Sequence, residues 1–240
     1  MKRSMSFDLL QTLKRGAEKL NAEARQQVCH YVESQRVDGE AYMNRGGQPD
    51  LYYTMFGWML CYALGIRSDA SQRKAYLQTI DAGRLDELHQ IVWTLCGQLD
   101  RLLSVPRFTQ DVILSLMVDD EPLRRFFKTY QQHGSGDGTN ALAARLAIAA
   151  ERDVALTDKL LELQVDSGGF LAYEGAPVPD MLSTAVAMFA LSRLQIILRY
   201  DVHSFVEAHW QRDGSFAATL LDEQGDVEYV FYGLLAIGSL

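Results

Sequence analysis

Apolar residues recur along this chain at helical spacing. In "SFDLLQTLKRGAEKL" the positions Phe7, Leu9, Leu10, Leu13, Ala17 and Leu20 fall close to an i, i+3, i+4, i+7 stripe. "LDELHQIVWTLCGQLDRLL" repeats the pattern with Leu85, Leu88, Ile91, Val92, Leu95, Leu99 and Leu102. "ALAARLAIAAERD" is rich in strong helix formers. "YTMFGWMLCYALGI", from Tyr53 to Ile66, is apolar almost throughout. It fits a buried helix, being shorter than the ~20 residues of a membrane span. No long stretch alternates with period two, and the Gly-bounded "DGSFAATL" reads as a hairpin-like loop. The pattern predicts an all-α protein of roughly ten helices.

Three segments share one grammar. They are Glu33 to Gly65, Glu162 to Leu194 and Ala208 to Leu240. In each, a helix ends in a Gln-containing turn followed by Asp and Gly. An aromatic comes next (Tyr42, Phe170, Phe216), then a Gly-bearing loop. Each loop ends in an aspartate, Asp50, Asp180 or Asp226, that opens an apolar helix. A fainter copy, "TYQQHGSGDGTNALAARLAIAAE", has Asn140 in the aspartate's place, and a degenerate one begins near Asp86. The period suits a helical hairpin and predicts about five hairpins. Residues 1–30 read as N-terminal helices, 33–240 as the repeats, and 1–240 as one domain.

Local chemistry explains the grammar. Asp before an apolar run caps an otherwise unpaired backbone N–H and suits the positive helix end. Pro49 and Pro179 hold the preceding residue extended. Gly168 and Gly169, or Gly39 and Gly214, suit positive φ after a helix. The loop aromatic is expected to wedge between neighbouring hairpins.

Charge and cysteines change the picture only by exclusion. A net charge of −8 disfavours nucleic acid or an anionic membrane as partner. The three cysteines suggest no disulfide framework and fit a reducing compartment. No signal-like apolar core follows the basic N-terminus. A cytoplasmic protein without a membrane span is expected.

The grammar resembles the repeats of protein prenyltransferase β-subunits and of squalene and terpene cyclases. "QVDSGGFLAYEGAPVPDMLST" and "HWQRDGSFAATLLDEQGDVEYVFYGL" look like their Gly-Gly-Phe turns, D-x-x-x-T helix starts and Gln/Trp–Gly–Phe loops. The resemblance covers about Glu33 to Leu240 and is clearest near the C-terminus. It implies an α/α toroid, with inner helices around a central apolar cavity and outer helices around them. In the prenyltransferases the helix after such a loop carries Asp-x-Cys, and the last inner helix a histidine, as zinc ligands. Here Leu182 follows Asp180 at the cysteine place, and Tyr229 stands at the histidine place. A catalytic zinc needs three protein ligands, so no metal and no cofactor is expected. The Asp-x-Asp-Asp acid of class II cyclases has only "MVDD", Met117 to Asp120, for comparison.

These readings nominate Asp50, Tyr53, Trp58, Asp180, Thr184, Asp226 and Tyr229 as ligand-binding residues on the rim and wall of the cavity. No residue is nominated as catalytic. Asp50, Asp180 and Asp226 also read as plain N-caps, and the aromatics as ordinary core. Asp119, Asp120 and Glu121 before Pro122 read as a helix start. His89 with Cys96, and Cys29 with His30, lack metal spacing. The Gly-rich "QQHGSGDGTN" could cradle a phosphate but has neither a preceding strand nor a P-loop lysine. The expected function is a prenyltransferase- or terpene-cyclase-like protein holding an isoprenoid or other apolar ligand. The alternative is a non-catalytic toroid that binds a protein partner. A glycan-active barrel needs paired carboxylates and a longer chain.

Overall fold

The computed structural model describes residues 4–116, 120–132, 136–149 and 151–240. Among these, twelve helices account for almost all regular structure. They are α1 (Met5–Lys19), α2 (Ala22–Ser34), α3 (Leu51–Leu64), α4 (Ala70–Thr79), α5 (Glu87–Leu103) and α6 (Arg107–Leu116), followed by α7 (Glu121–Gln132), α8 (Thr139–Ala149), α9 (Val154–Glu162), α10 (Met181–Arg193), α11 (His203–Ala208) and α12 (Val227–Ser239). Short antiparallel ladders sit in the loops: β1 (Arg36–Val37), β2 (Ala41–Met43) and β3 (Pro49–Asp50), then β4 (Phe170–Leu171) with β5 (Pro179–Asp180).

Six helices form a ring. In order, α3, α5, α7, α8, α10 and α12 each pack on the next, and α12 packs back on α3. Outside it, α2 lies on α3 and α12, α4 on α5, α9 on α8 and α11 on α12. The fold is therefore an α/α toroid, as expected, and the ring is closed. It has one more inner helix than the five hairpins counted from the sequence. The addition is α7, whose start at Pro122 was legible but whose place in the ring was not. Of the five expected helix openings, Asp50, Asp86, Asp180 and Asp226 are N-caps. Asn140 instead lies inside the first turn of α8, and its buried Oδ1 has no hydrogen-bond partner.

The repeat grammar appears as a repeated latch. In the first unit the Tyr42 N–H donates to Thr54 Oγ1 (2.9 Å), whose hydroxyl donates to the Asp50 carbonyl (2.6 Å). In the second, Phe170 N–H donates to Thr184 Oγ1 (2.9 Å), which donates to the Asp180 carbonyl (2.7 Å). Threonine supplies both an acceptor and a donor, so one side chain ties loop to helix start. The third unit has Val230 at this place, and only the bridge between Trp210 and Phe216 remains. The turn glutamine ties its loop down just as firmly. Buried Gln164 donates to the Gly168 and Tyr200 carbonyls (both 3.0 Å) and accepts from Arg199 N–H (2.8 Å).

Two of the loop aromatics pack on the inner helix of their own unit, Tyr42 over Gly57 and Phe216 over Gly233. A glycine is needed there because a Cβ would enter the aromatic side chain. Gly168 has φ +94°, and a Cβ there would overlap the Asp201 carbonyl; Gly169 has no positive φ and lies instead against Phe205.

Neighbouring units are joined at the rim that carries these loops. Thr139 N–H donates to the Ala172 carbonyl and Met181 N–H to the Ala218 carbonyl, both at 2.9 Å. The last unit closes onto the first through Arg45 Nε and Asp226 at 2.7 Å.

The other end is covered by α1. This helix packs on α12 and α3 and touches α6, α7 and α10. Leu9, Leu13 and Ala17 are fully buried. Gly16 and Gly238 let α1 and α12 approach backbone to backbone, since a Cβ at Gly16 would overlap the Leu234 carbonyl and one at Gly238 the Thr12 carbonyl. Asp120 accepts from the Met5 (2.6 Å) and Ser6 (2.9 Å) N–H groups at the start of α1. Asp8 pairs with Arg193 (2.9 Å) and Lys14 with Asp111 (2.6 Å).

Candidate functional site at the mouth of the ring

The starts of α3, α10 and α12 build the uncovered end. Asp50 Oδ1 accepts from Tyr52 N–H (2.8 Å) and Tyr53 N–H (3.1 Å). Asp180 accepts from Ser183 N–H (2.8 Å), and Asp226 from Tyr229 N–H (3.0 Å). All three carboxylates therefore cap helices. The second oxygen of Asp226 holds Arg45, whose guanidinium lies 5.5 Å from the centre of the Tyr229 ring. Burial raises the Asp180 carboxyl above its usual range, against the pull of its Ser183 hydrogen bonds and of His209. Behind it, His209 is fully buried, with Nδ1 at 2.8 Å from the Phe205 carbonyl and Nε2 without a hydrogen-bond partner. Burial lowers its basicity.

Glu228 is a residue that sequence reasoning missed. It lies half-buried in the first turn of α12, and its Oε1 accepts from the Tyr52 hydroxyl of α3 at 2.8 Å. Burial pushes its carboxyl up to about 7, while the Tyr52 hydrogen bond pulls it down and the nearby Asp226 charge pushes it up. An acid poised near neutrality can give or accept a proton at working pH. Tyr53 feels Asp226, Glu228 and Asp50, and burial with these charges pushes its phenol up to about 12. Tyr229 feels Glu228, Asp226 and Asp180, and its phenol is raised chiefly by burial. Tyr52, Tyr53, Tyr229 and Glu228 thus share one field, with Asp226 and Arg45 between them.

Below this layer, aromatic rings meet across the ring of helices. Tyr52 touches Phe56 at 5.0 Å between ring centres and Phe126 of α7 at 6.2 Å, although α3 and α7 are not neighbours in the ring. Phe56 also meets Phe231 at 4.9 Å, and Phe127 meets Phe189 at 6.1 Å. The inner half of the lumen is packed with its own aromatic side chains.

Two nominated residues sit elsewhere. Trp58 is fully buried on the outer side of α3, where its Nε1 donates to the Glu40 carbonyl (2.9 Å) and Arg73 and Tyr76 of α4 cover its ring. Helix α3 is buried nearly all round, so its apolar pattern gives no direction. Thr184 is fully buried and spends both hydrogen-bonding functions on the latch. Asp50, Tyr53, Asp180, Asp226 and Tyr229 do lie at the mouth.

The donors do not suit zinc. Asp180 has Leu182 and Tyr229 where the resemblance calls for a thiolate and an imidazole. Among the described residues no three His, Cys, Asp or Glu side chains come together to hold a metal. Of "MVDD", residues 117–119 lie outside the described residues, and Asp120 serves the start of α1. Residues 133–135 of the Gly-rich loop also lie outside them. His89 is engaged with Asp86 at 2.8 Å. No helix among the described residues is long and apolar enough to cross a membrane.

Comparison with known families agrees with this architecture. Residues 135–240 match the family model of the prenyltransferase alpha-alpha toroid domain. The matched span starts just before α8 and contains Asp180, Thr184, Asp226, Glu228 and Tyr229. No curated protein matches the chain.

Proposed function

We propose that this protein binds an isoprenoid or other apolar molecule at the mouth of the ring, between Tyr52, Tyr53, Tyr229 and Glu228. The observation that carries this reading is the half-buried tyrosine layer around one acid of raised pKa, at the end that α1 leaves uncovered. Such a layer offers apolar contact with a few polar groups to orient a ligand. Its charge selects the ligand further. Among the described residues, Asp50, Asp180, Asp226 and Glu228 have one arginine near them, Arg45, which is already committed to Asp226. A diphosphate would meet like charge there, so the fitting ligand is an uncharged isoprenoid such as an alcohol. Catalysis by zinc has no support in these donors.

A second reading has its own observation. The rings that touch across the lumen, Phe56 with Phe126 at 6.4 Å among them, favour a self-filled toroid that binds a protein partner. Native mass spectrometry of protein purified from its source separates the two. A copurifying lipid, exchangeable for added farnesol, is the expected result. Repeated absence of lipid, with no uptake of farnesol or geranylgeraniol, would overturn the ligand reading and leave the partner reading.

A further inference from the structure

On the outer flank of the molecule, where α3 ends, guanidinium groups gather. Arg25 Nη2 donates to the Leu64 carbonyl (2.8 Å), Arg107 Nη1 to the Gly65 carbonyl (3.3 Å) and Arg36 Nη2 to the Arg67 carbonyl (3.1 Å). Covering a helix C-terminus accounts for part of this. A helix end carries only about half a negative charge, so Arg25 and Arg107 leave a surplus even with Arg36 paired to Glu40. No carboxylate pairs with the rest. Glu40 pairs with Arg36, Asp100 with Arg73, Asp69 accepts from the N–H groups of its own helix start, and Glu33, in the same field as Arg25 and Arg107, forms no ion pair among the described residues. Among the described residues, Arg25, Arg67 and Arg107 form no ion pair with a carboxylate. This happens in a chain whose net charge is −8.

The same place holds a cavity of about 440 Å³. Arg67, Arg107, Ser68 and Gln110 supply its polar lining, and Ile66, Leu103 and Val105 its apolar wall. Ser68 Oγ accepts from the buried Arg73 (2.5 Å), which leaves its hydroxyl hydrogen for another acceptor. A pocket of a few hundred cubic ångströms suits a small metabolite, and guanidinium groups in its lining suit a planar or tetrahedral oxyanion.

We propose that this pocket at the C-terminal end of α3 binds a small oxyanion, of the phosphate or phosphate-ester class, between Arg67 and Arg107. The site lies apart from the mouth of the ring and does not depend on the isoprenoid reading.

Isothermal titration with inorganic phosphate at about 0.15 M ionic strength, where exposed charges are screened beyond ~8 Å, tests it. Glycerol phosphate in a second arm separates a preference for the ester from binding of the free anion. Saturable binding of one phosphate per chain is expected, weakened at least tenfold by Arg67→Gln and by Arg107→Gln. Arg84→Gln, a change at an exposed arginine paired with Asp81 elsewhere, should leave it unaltered. The Arg67 side chain is exposed and makes no hydrogen bond among the described residues, so that variant keeps the test sharp if Arg107→Gln disturbs Gly65. Absence of saturable binding, or equal weakening in all three variants, overturns the proposal.

Discussion

The two ends of the ring are built from the same helices and resolve their charges in opposite ways. At the end covered by α1, polar groups are matched nearly one to one. Asp8 meets Arg193, Lys14 meets Asp111, and Asp120 takes two backbone N–H groups. At the mouth, among the described residues, four acids share one arginine, and tyrosines stay half-buried around them. A paired, close-packed end is what stability selects. An acid held near neutral pKa costs stability when ionised, and perturbed acids of this kind collect at functional sites. The contrast assigns stability to one end and, on the proposed reading, ligand binding to the other.

Breaking the covered end should have the largest effect. Gly16→Leu would drive a side chain into the Leu234 carbonyl and force α1 off α12. A loss of about 3 kcal/mol or more is expected in urea unfolding. Leu13→Ala removes a fully buried side chain from the same helix and should cost about 2–5 kcal/mol. If α1 were a loosely held appendage, neither change would approach these values.

At the mouth, pH is the sharper instrument. Burial raises Glu228 from an ordinary 4.5 to about 7 in the folded protein. Between those values the native state holds a proton that the unfolded chain has released. Stability from this group is thus full below about pH 4.5 and falls as pH rises through about 7. Chemical denaturation across this window should show a decline of about 2–3 kcal/mol, which Glu228→Gln should flatten. Asp180 is raised as well and contributes with the same sign, so the variant, not the wild-type slope alone, isolates Glu228. A wild-type slope equal to that of the variant would remove Glu228 from the account.

The latch gives a smaller effect. Thr184→Val leaves the buried Phe170 N–H without its acceptor and should cost about 1–3 kcal/mol by thermal or urea unfolding. Asp50→Ala removes a helix cap at the mouth and should cost about 1 kcal/mol. A cost near zero for Thr184→Val would mean that the loop relaxes to water and the latch is dispensable.

The repeats were legible because each piece has a local cause. Aspartate caps, prolines and glycines act within a few residues, so Asp50, Asp86, Asp180 and Asp226 were readable as helix starts. What the sequence did not reveal depends on distant partners. The stripe on α1 announced an amphipathic helix, but not that it would cover one end of the ring. Trp58 faces outward to Glu40, Arg73 and Tyr76, a direction that α3, with no polar face, did not reveal. Glu228 gained its character from burial among distant elements, and the tyrosine it meets, Tyr52, lies 176 positions away along the chain. The sequence signal was weak: an acid in the first turn before the apolar "VFYGLLAIG" also suits the positive helix end, so Glu228 read as local chemistry.

The most direct test of the division between the two ends is a titration of geranylgeraniol into wild type, Tyr53→Ala, Tyr229→Ala and Leu13→Ala, each under conditions where it is folded. Saturable binding to wild type and Leu13→Ala, weakened at least tenfold in both tyrosine variants, is the predicted result. Binding that survives both tyrosine changes, or that is lost only with Leu13→Ala, would contradict it.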